Sequence, residues 1–147
     1  MGQTTCGLEF PGIALGGTEI NAKAQAVAAS KHAAVTLAAA QTSATDQRFD
    51  LVFTSGVLIH INPDDLPAVY HRMLGLSRRY MMVCEYYNPV PTTVTYRGQA
   101  NALFKRDFAG ELMARGNLSL VDYGFWYQGD PLWPADDFNW FLMQQNA

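Results

Sequence analysis

The stretch FDLVFTSGVLIHINPDDLPAVYHRMLGL, Phe49 to Leu76, decides the fold class. Its opening five residues have the composition of a buried strand, with Asp50 as the one polar interruption. Asn62-Pro63-Asp64-Asp65 then predicts a helix start. Asn62 suits a cap, Pro63 the first helical position, and the two acids the positive end of the dipole. Leu66, Val69, Tyr70, Met73 and Leu74 follow on one helical face. The loop between strand and helix, 54–61, sits at a strand's carboxyl end, where open α/β sheets bind ligands.

The chain on both sides repeats this alternation. Downstream, residues 79–86 form an apolar run, YMMVCEY, expected to be a second buried strand. Pro89 and Pro91 end it and open a long loop through about Lys105. Asp107 caps a helix with Phe108, Leu112 and Met113 inward, stopped at Gly116. A strand over 118–127 and a turn, GDPLWPADD, lead to a final strand over 138–143. Upstream, residues 13–20 give a short apolar strand ending near Glu19. Asn21 caps an alanine-rich helix over 22–32, with Ala24, Val27 and Ala28 inward, and 35–38 forms a further strand. Strands alternating with helices predict one α/β domain over 1–147, its mostly parallel sheet covered by helices on both faces. The last two strands share a short turn and form an antiparallel C-terminal edge. The aromatic set Phe125, Trp126, Tyr127, Trp133, Trp140 and Phe141 reads as core and edge packing.

Composition narrows the partners. With 49% hydrophobic and 16% charged residues, the 147-residue chain can bury a real core. A net charge of -3 and a pI near 5.5 supply no basic field for nucleic acid or an anionic membrane. Arg78-Arg79 and Lys105-Arg106 read as solvated surface. Cys6 and Cys84 form neither a disulfide framework nor a metal-ligand spacing, so Cys84 is expected as a buried free thiol and no metal is expected. The start lacks a secretory pattern and no apolar run spans a bilayer, so a soluble, cytoplasmic setting is expected.

Several runs carry a family likeness. GGTEIN, the Phe49–Tyr70 segment, CEYYNPVPTTVTYRG, NALFKRDFAGEL and LVDYGFWY resemble class I S-adenosylmethionine-dependent methyltransferases. More narrowly, the last three of these runs resemble the methylases associated with pseudaminic acid biosynthesis, a likeness that spans roughly residues 17–145. The resemblance implies a Rossmann-like fold, S-adenosylmethionine as cofactor, and a small polar, sugar-derived acceptor. It implies that Glu19 binds the cofactor ribose, because one carboxylate can accept from two vicinal hydroxyls. The same acid also suits the start of a helix. Thr54, Ser55 and Gly56 would lie against the cofactor, with Gly56 permitting close backbone approach.

Methyl transfer from a sulfonium is an in-line displacement, for which alignment contributes about 7–11 kcal/mol. A hydroxyl acceptor also needs a base, for which Glu85 is the first candidate and His60 the second. Tyr86, Tyr87 and Asn88, at a strand's carboxyl end, are candidate substrate contacts, as are Arg97 and Arg106, whose guanidinium forks match a carboxylate or phosphate. Tyr96 and Lys105 are expected to line the acceptor site with them. Each of these also reads as surface or as a satisfied polar cluster. Tyr87-Asn88-Pro89 is similar to a motif of enzymes that methylate nucleic-acid amino groups, but it follows the wrong strand and has no basic groove.

The family's first motif, an acid-ended strand and a glycine-rich turn, is missing before Glu19; Cys6-Gly7 is a scrap of it. The acid expected for the adenine is also missing near Gln41, Thr42 and Ser43. The expectation is an N-terminally truncated relative lacking the usual first strand, with sheet edges left open. Two readings follow: an active methyltransferase, or a silent methyltransferase-like module acting in protein interaction or as a homodimer through an open edge.

Overall fold

A computed structural model describes residues 13, 15–31, 35–37 and 47–146. The chain divides into two compact units, Met1–Asp46 and Gln47–Ala147. The readings placed on Cys6, Gly7, Gln41, Thr42 and Ser43 lie outside the described residues.

In the first unit, β1 (Gly17–Glu19) and β2 (Val35–Leu37) pair in parallel, and α1 (Ala22–Lys31) lies between them in sequence. Asn21 caps α1 as its sequence predicts: its side-chain oxygen accepts the amides of Lys23 at 3.0 Å and Ala24 at 3.1 Å. The expected inward stripe is corrected at Val27, which is exposed. Alanine supplies helix propensity without a coherent apolar face.

The second unit builds a four-stranded sheet in the order β3 (Phe49–Ser55), β4 (Ser77–Glu85), β8 (Asn139–Gln145), β7 (Leu118–Phe125). β3 and β4 are parallel, whereas β8 is antiparallel to both neighbours. The C-terminal strand is therefore antiparallel as expected. It inserts between β4 and β7, leaving β7 at the edge. Ser55, Glu85, Asn139 and Phe125 come to one end of the sheet.

Two helices cover this sheet. α2 (Leu66–Leu76) packs on β3 and β4, and α3 (Phe108–Arg115) on β4 and β7. Leu66, Val69, Tyr70 and Met73 of α2 and Phe108, Ala109 and Leu112 of α3 are buried with Met81, Val83 and Met143 of the sheet. Asp107 caps α3, its carboxylate accepting the Gly110 amide at 2.8 Å. α2 starts later than expected, at Leu66 rather than at Pro63. Proline has no amide hydrogen and is tolerated only in a helix's first turn, so Pro67 sets the start. Asn62 instead closes the turn before it, its side chain accepting the Asp64 amide at 3.1 Å.

The expected loop over 89–105 is a second correction. β5 (Thr92–Tyr96) and β6 (Gln99–Lys105) form an antiparallel hairpin. Arg97 and Gly98, with φ of 50° and 78°, make the two-residue turn whose twist suits a hairpin. The aromatic reading is corrected as well: Phe125, Tyr127 and Trp133 are exposed, Trp133 to 82%. Being last in the sheet, β7 has no strand beyond it among the described residues. Cys84 is the buried free thiol expected, and burial pushes its pKa up to about 12, with Glu85 adding to the effect. No described helix is long and apolar enough to cross a membrane.

Candidate active site

At the carboxyl ends of β3 and β4 the chain turns sharply. Gly56 takes a left-handed φ of 61°, and a Cβ there would meet the Phe138 ring at 3.3 Å. Its amide donates to Cys84 O at 3.0 Å, tying the end of β3 to β4. A short 3-10 turn, Leu58–His60, follows.

Glu85 holds that turn. It is 2% exposed, and Oε1 accepts the amides of Val57 and Leu58, each at 3.1 Å, while Oε2 accepts that of Ile59 at 3.3 Å. Burial raises its pKa to about 7; the amides of Leu58, Val57 and Ile59 and the Thr54 hydroxyl oppose the shift. The Thr54 hydroxyl faces the same carboxylate, short of full hydrogen-bond geometry, and its oxygen is otherwise buried without a partner. Glu85 is thus occupied by backbone donors inside the protein, and Thr54 is turned toward it.

His60 lies at the outer end of the turn and is exposed. Its Nδ1 is 2.9 Å from Ala102 O on β6, and its ring stacks obliquely on Tyr96 of β5, with centroids 5.5 Å apart. A carbonyl oxygen only accepts, so Nδ1 carries the hydrogen. In the neutral ring, Nε2 then holds the lone pair. His60 also lines an open cavity of about 340 Å³ with Asn62, Pro63, Asn101 and Phe104. The hairpin therefore supplies one wall of the site. Asn101, Phe104 and the Ala102 carbonyl carry no local signal of a site, because Pro89 and Pro91 mark the segment as a loop and only the pairing of β5 with β6 brings it to His60. The alternating Thr92–Tyr96 run before Arg97-Gly98 is the signal that marks the hairpin.

The other expected residues divide. Tyr86 packs on Phe138 with centroids 4.7 Å apart, and the Lys105 ammonium lies over its ring at 5.1 Å. Burial raises the Tyr86 pKa, helped by nearby Asp136, Tyr96 and Asp137. Tyr87 packs on Phe141, and the Asn88 amide donates to the Thr92 hydroxyl at 2.6 Å. Arg97 sits on the hairpin turn over the Tyr96 ring. Arg106 faces inward: its Nε donates to Glu111 at 2.7 Å, while Glu111 accepts the Tyr70 hydroxyl at 2.9 Å with its other oxygen. Among these, only His60 lines the cavity. In the first unit, Glu19 ends β1 and accepts the Asn21 amide at 2.8 Å.

No protein-family model and no curated protein matches the chain. Solved structures do. Magnesium protoporphyrin IX methyltransferase from Synechocystis PCC 6803, with bound SAM, aligns over 88% of this chain and 58% of its own, at 10% identity and a TM-score of 0.63. The 1,6-didemethyltoxoflavin-N1-methyltransferase of Burkholderia thailandensis, with its substrate and S-adenosylhomocysteine, aligns over 88% and 60%, at 13% identity and 0.67. The N-methyltransferase NodS from Bradyrhizobium japonicum WM9 aligns over 88% and 72%, at 12% and 0.65. The chain thus spans about three fifths of the length of the first two. At these identities the likeness is one of fold, and the fold is that of S-adenosylmethionine-dependent methyltransferases.

Proposed function

We propose that the chain works as an S-adenosylmethionine-dependent methyltransferase on a small polar, sugar-derived acceptor, with His60 taking the acceptor's proton. The observation that carries this reading is the His60 Nδ1 contact with Ala102 O, made beside a cavity at the carboxyl end of β3. The fold supports it, since open α/β sheets hold ligands at that end.

The residues for the cofactor fit in part. Glu19 ends a strand of the first unit with a carboxylate suited to a ribose diol; in the second unit Gly56, next to Ser55, takes a left-handed turn whose missing Cβ leaves room for the Phe138 ring. The Thr54 hydroxyl, just before them, faces inward toward Glu85. When bound, the cofactor supplies an electrophilic methyl group. The chain's own residues do the remainder. Glu85 fixes the 57–59 backbone, Ala102 and Tyr96 fix the His60 ring, and Nε2 would accept the acceptor's hydroxyl proton while its oxygen takes the methyl group and the carbon–sulfur bond breaks to leave a neutral thioether. Asn62 and Asn101 carry amides that both donate and accept, which suits neighbouring sugar hydroxyls. The likeness to methylases of pseudaminic acid biosynthesis favours a sugar acid as acceptor.

Calorimetric titration of the folded chain with S-adenosylhomocysteine tests the reading. Micromolar binding that weakens at least tenfold in Glu19→Ala is expected. A well-folded chain without binding overturns it.

A second reading, a silent module that self-associates, is favoured by β7, an edge strand on which Tyr123 is 66% exposed. Sedimentation showing only monomer at high concentration removes it.

A further inference from the structure

The hairpin contains an irregularity placed against His60. Val94 pairs with Leu103 and Tyr96 with Gln99, with a register shift between them. Two steps along β5 therefore match four along β6, and the surplus falls at residues 100–102. Such a bulge takes backbone groups out of the ladder and re-aims them. Within it, Asn101 adopts a left-handed φ of 57°. Residues other than glycine seldom do so, and asparagine accepts it most readily. The next residue, Ala102, directs its carbonyl at His60 Nδ1, 2.9 Å away.

We infer that Asn101 is a positioning residue: its left-handed backbone bulges β6, brings the Ala102 carbonyl to His60, and so presents Nε2 to the cavity as the proton acceptor. The inference deepens the methyltransferase reading and rests on it only for the use made of Nε2. The tautomer itself is a property of the free protein. The backbone of Asn101, rather than its amide, does this work. Glycine at 101 keeps the arrangement although it removes the side chain, whereas a residue penalised in the left-handed region loses it.

Nitrogen NMR of the full chain, with its three histidines labelled and His60 assigned through His60→Gln, tests this without cofactor or acceptor. The wild type and Asn101→Gly are expected to show His60 with Nδ1 protonated and Nε2 free. Asn101→Val is expected to shift the ring about tenfold toward the Nε2-protonated form that an unconstrained histidine side chain prefers. Asn101→Ala, less disruptive to folding, is expected to move in the same direction and decides the matter if the valine variant does not fold. A wild type with Nε2 protonated overturns the inference, as does a folded alanine or valine variant with an unchanged tautomer. Loss of S-adenosylhomocysteine binding alone tells against the enzyme reading and leaves the tautomer result standing.

Discussion

Glu85 Oε1 accepts the amide of Leu58 at 3.1 Å, a bond between the end of β4 and the turn that follows β3. With the Val57 and Ile59 amides on the same carboxylate, one buried acid holds the backbone from which His60 projects. The donors favour its ionised form and burial disfavours it, and burial prevails, raising the pKa from 4.5 to about 7.

A pH dependence of stability follows. The folded state keeps a proton on Glu85 after the unfolded chain has lost it. Stability is therefore present in full below pH 4.5 and declines by about 1 kcal/mol per pH unit as pH rises toward 7. Urea unfolding of wild type and Glu85→Gln between pH 4.5 and 7 reads this group alone. The variant is expected to gain on the wild type as pH rises; parallel curves would refute the assignment.

Arg106 and Tyr70 are joined through Glu111, so this network supports packing between α2 and α3. Glu111→Ala leaves a buried phenol without its acceptor and is expected to cost about 1–3 kcal/mol in chemical unfolding. Arg106→Ala is expected to lower stability while S-adenosylhomocysteine affinity stays within twofold. A large loss of affinity without loss of stability would return Arg106 to the ligand site.

Gly56→Ala forces a side chain into a left-handed backbone and against the Phe138 ring. A cost of about 1–2 kcal/mol is expected from the backbone alone. Since this corner adjoins the proposed cofactor site, titration should show weaker S-adenosylhomocysteine binding. A variant with unchanged thermal midpoint and affinity would show that the corner adapts freely.

Cys84 is buried and its thiol pKa is pushed up to about 12. Thiolate chemistry at pH 8 should therefore be slow. Alkylation followed by peptide mapping is expected to leave Cys84 unmodified in the native chain and modified in urea. Rapid native labelling would show that the β4 region opens readily.

Much of the framework was legible in the sequence, because local chemistry specified it. The caps at Asn21 and Asp107, the apolar face of α2 and the strands around Phe49 and Tyr80 depend on neighbours a few residues away. Helical and strand periodicities report such neighbours directly. The start of α2 was legible in principle too, since Pro67 fixes it.

The sequence by itself determined the α/β alternation, the likeness to methyltransferases, and the candidacy of His60 and Glu85 at strand ends. Only the tertiary structure decided what those two side chains do. Glu85 meets amides 26 to 28 positions away and faces inward, while His60 meets a carbonyl 42 positions away and lines a cavity. Both outcomes depend on parallel pairing of β3 with β4 and on a bulge in β6. Those are contacts between segments distant in the chain. No local periodicity encodes them, because register and burial are settled only when the sheet, helices and hairpin pack together.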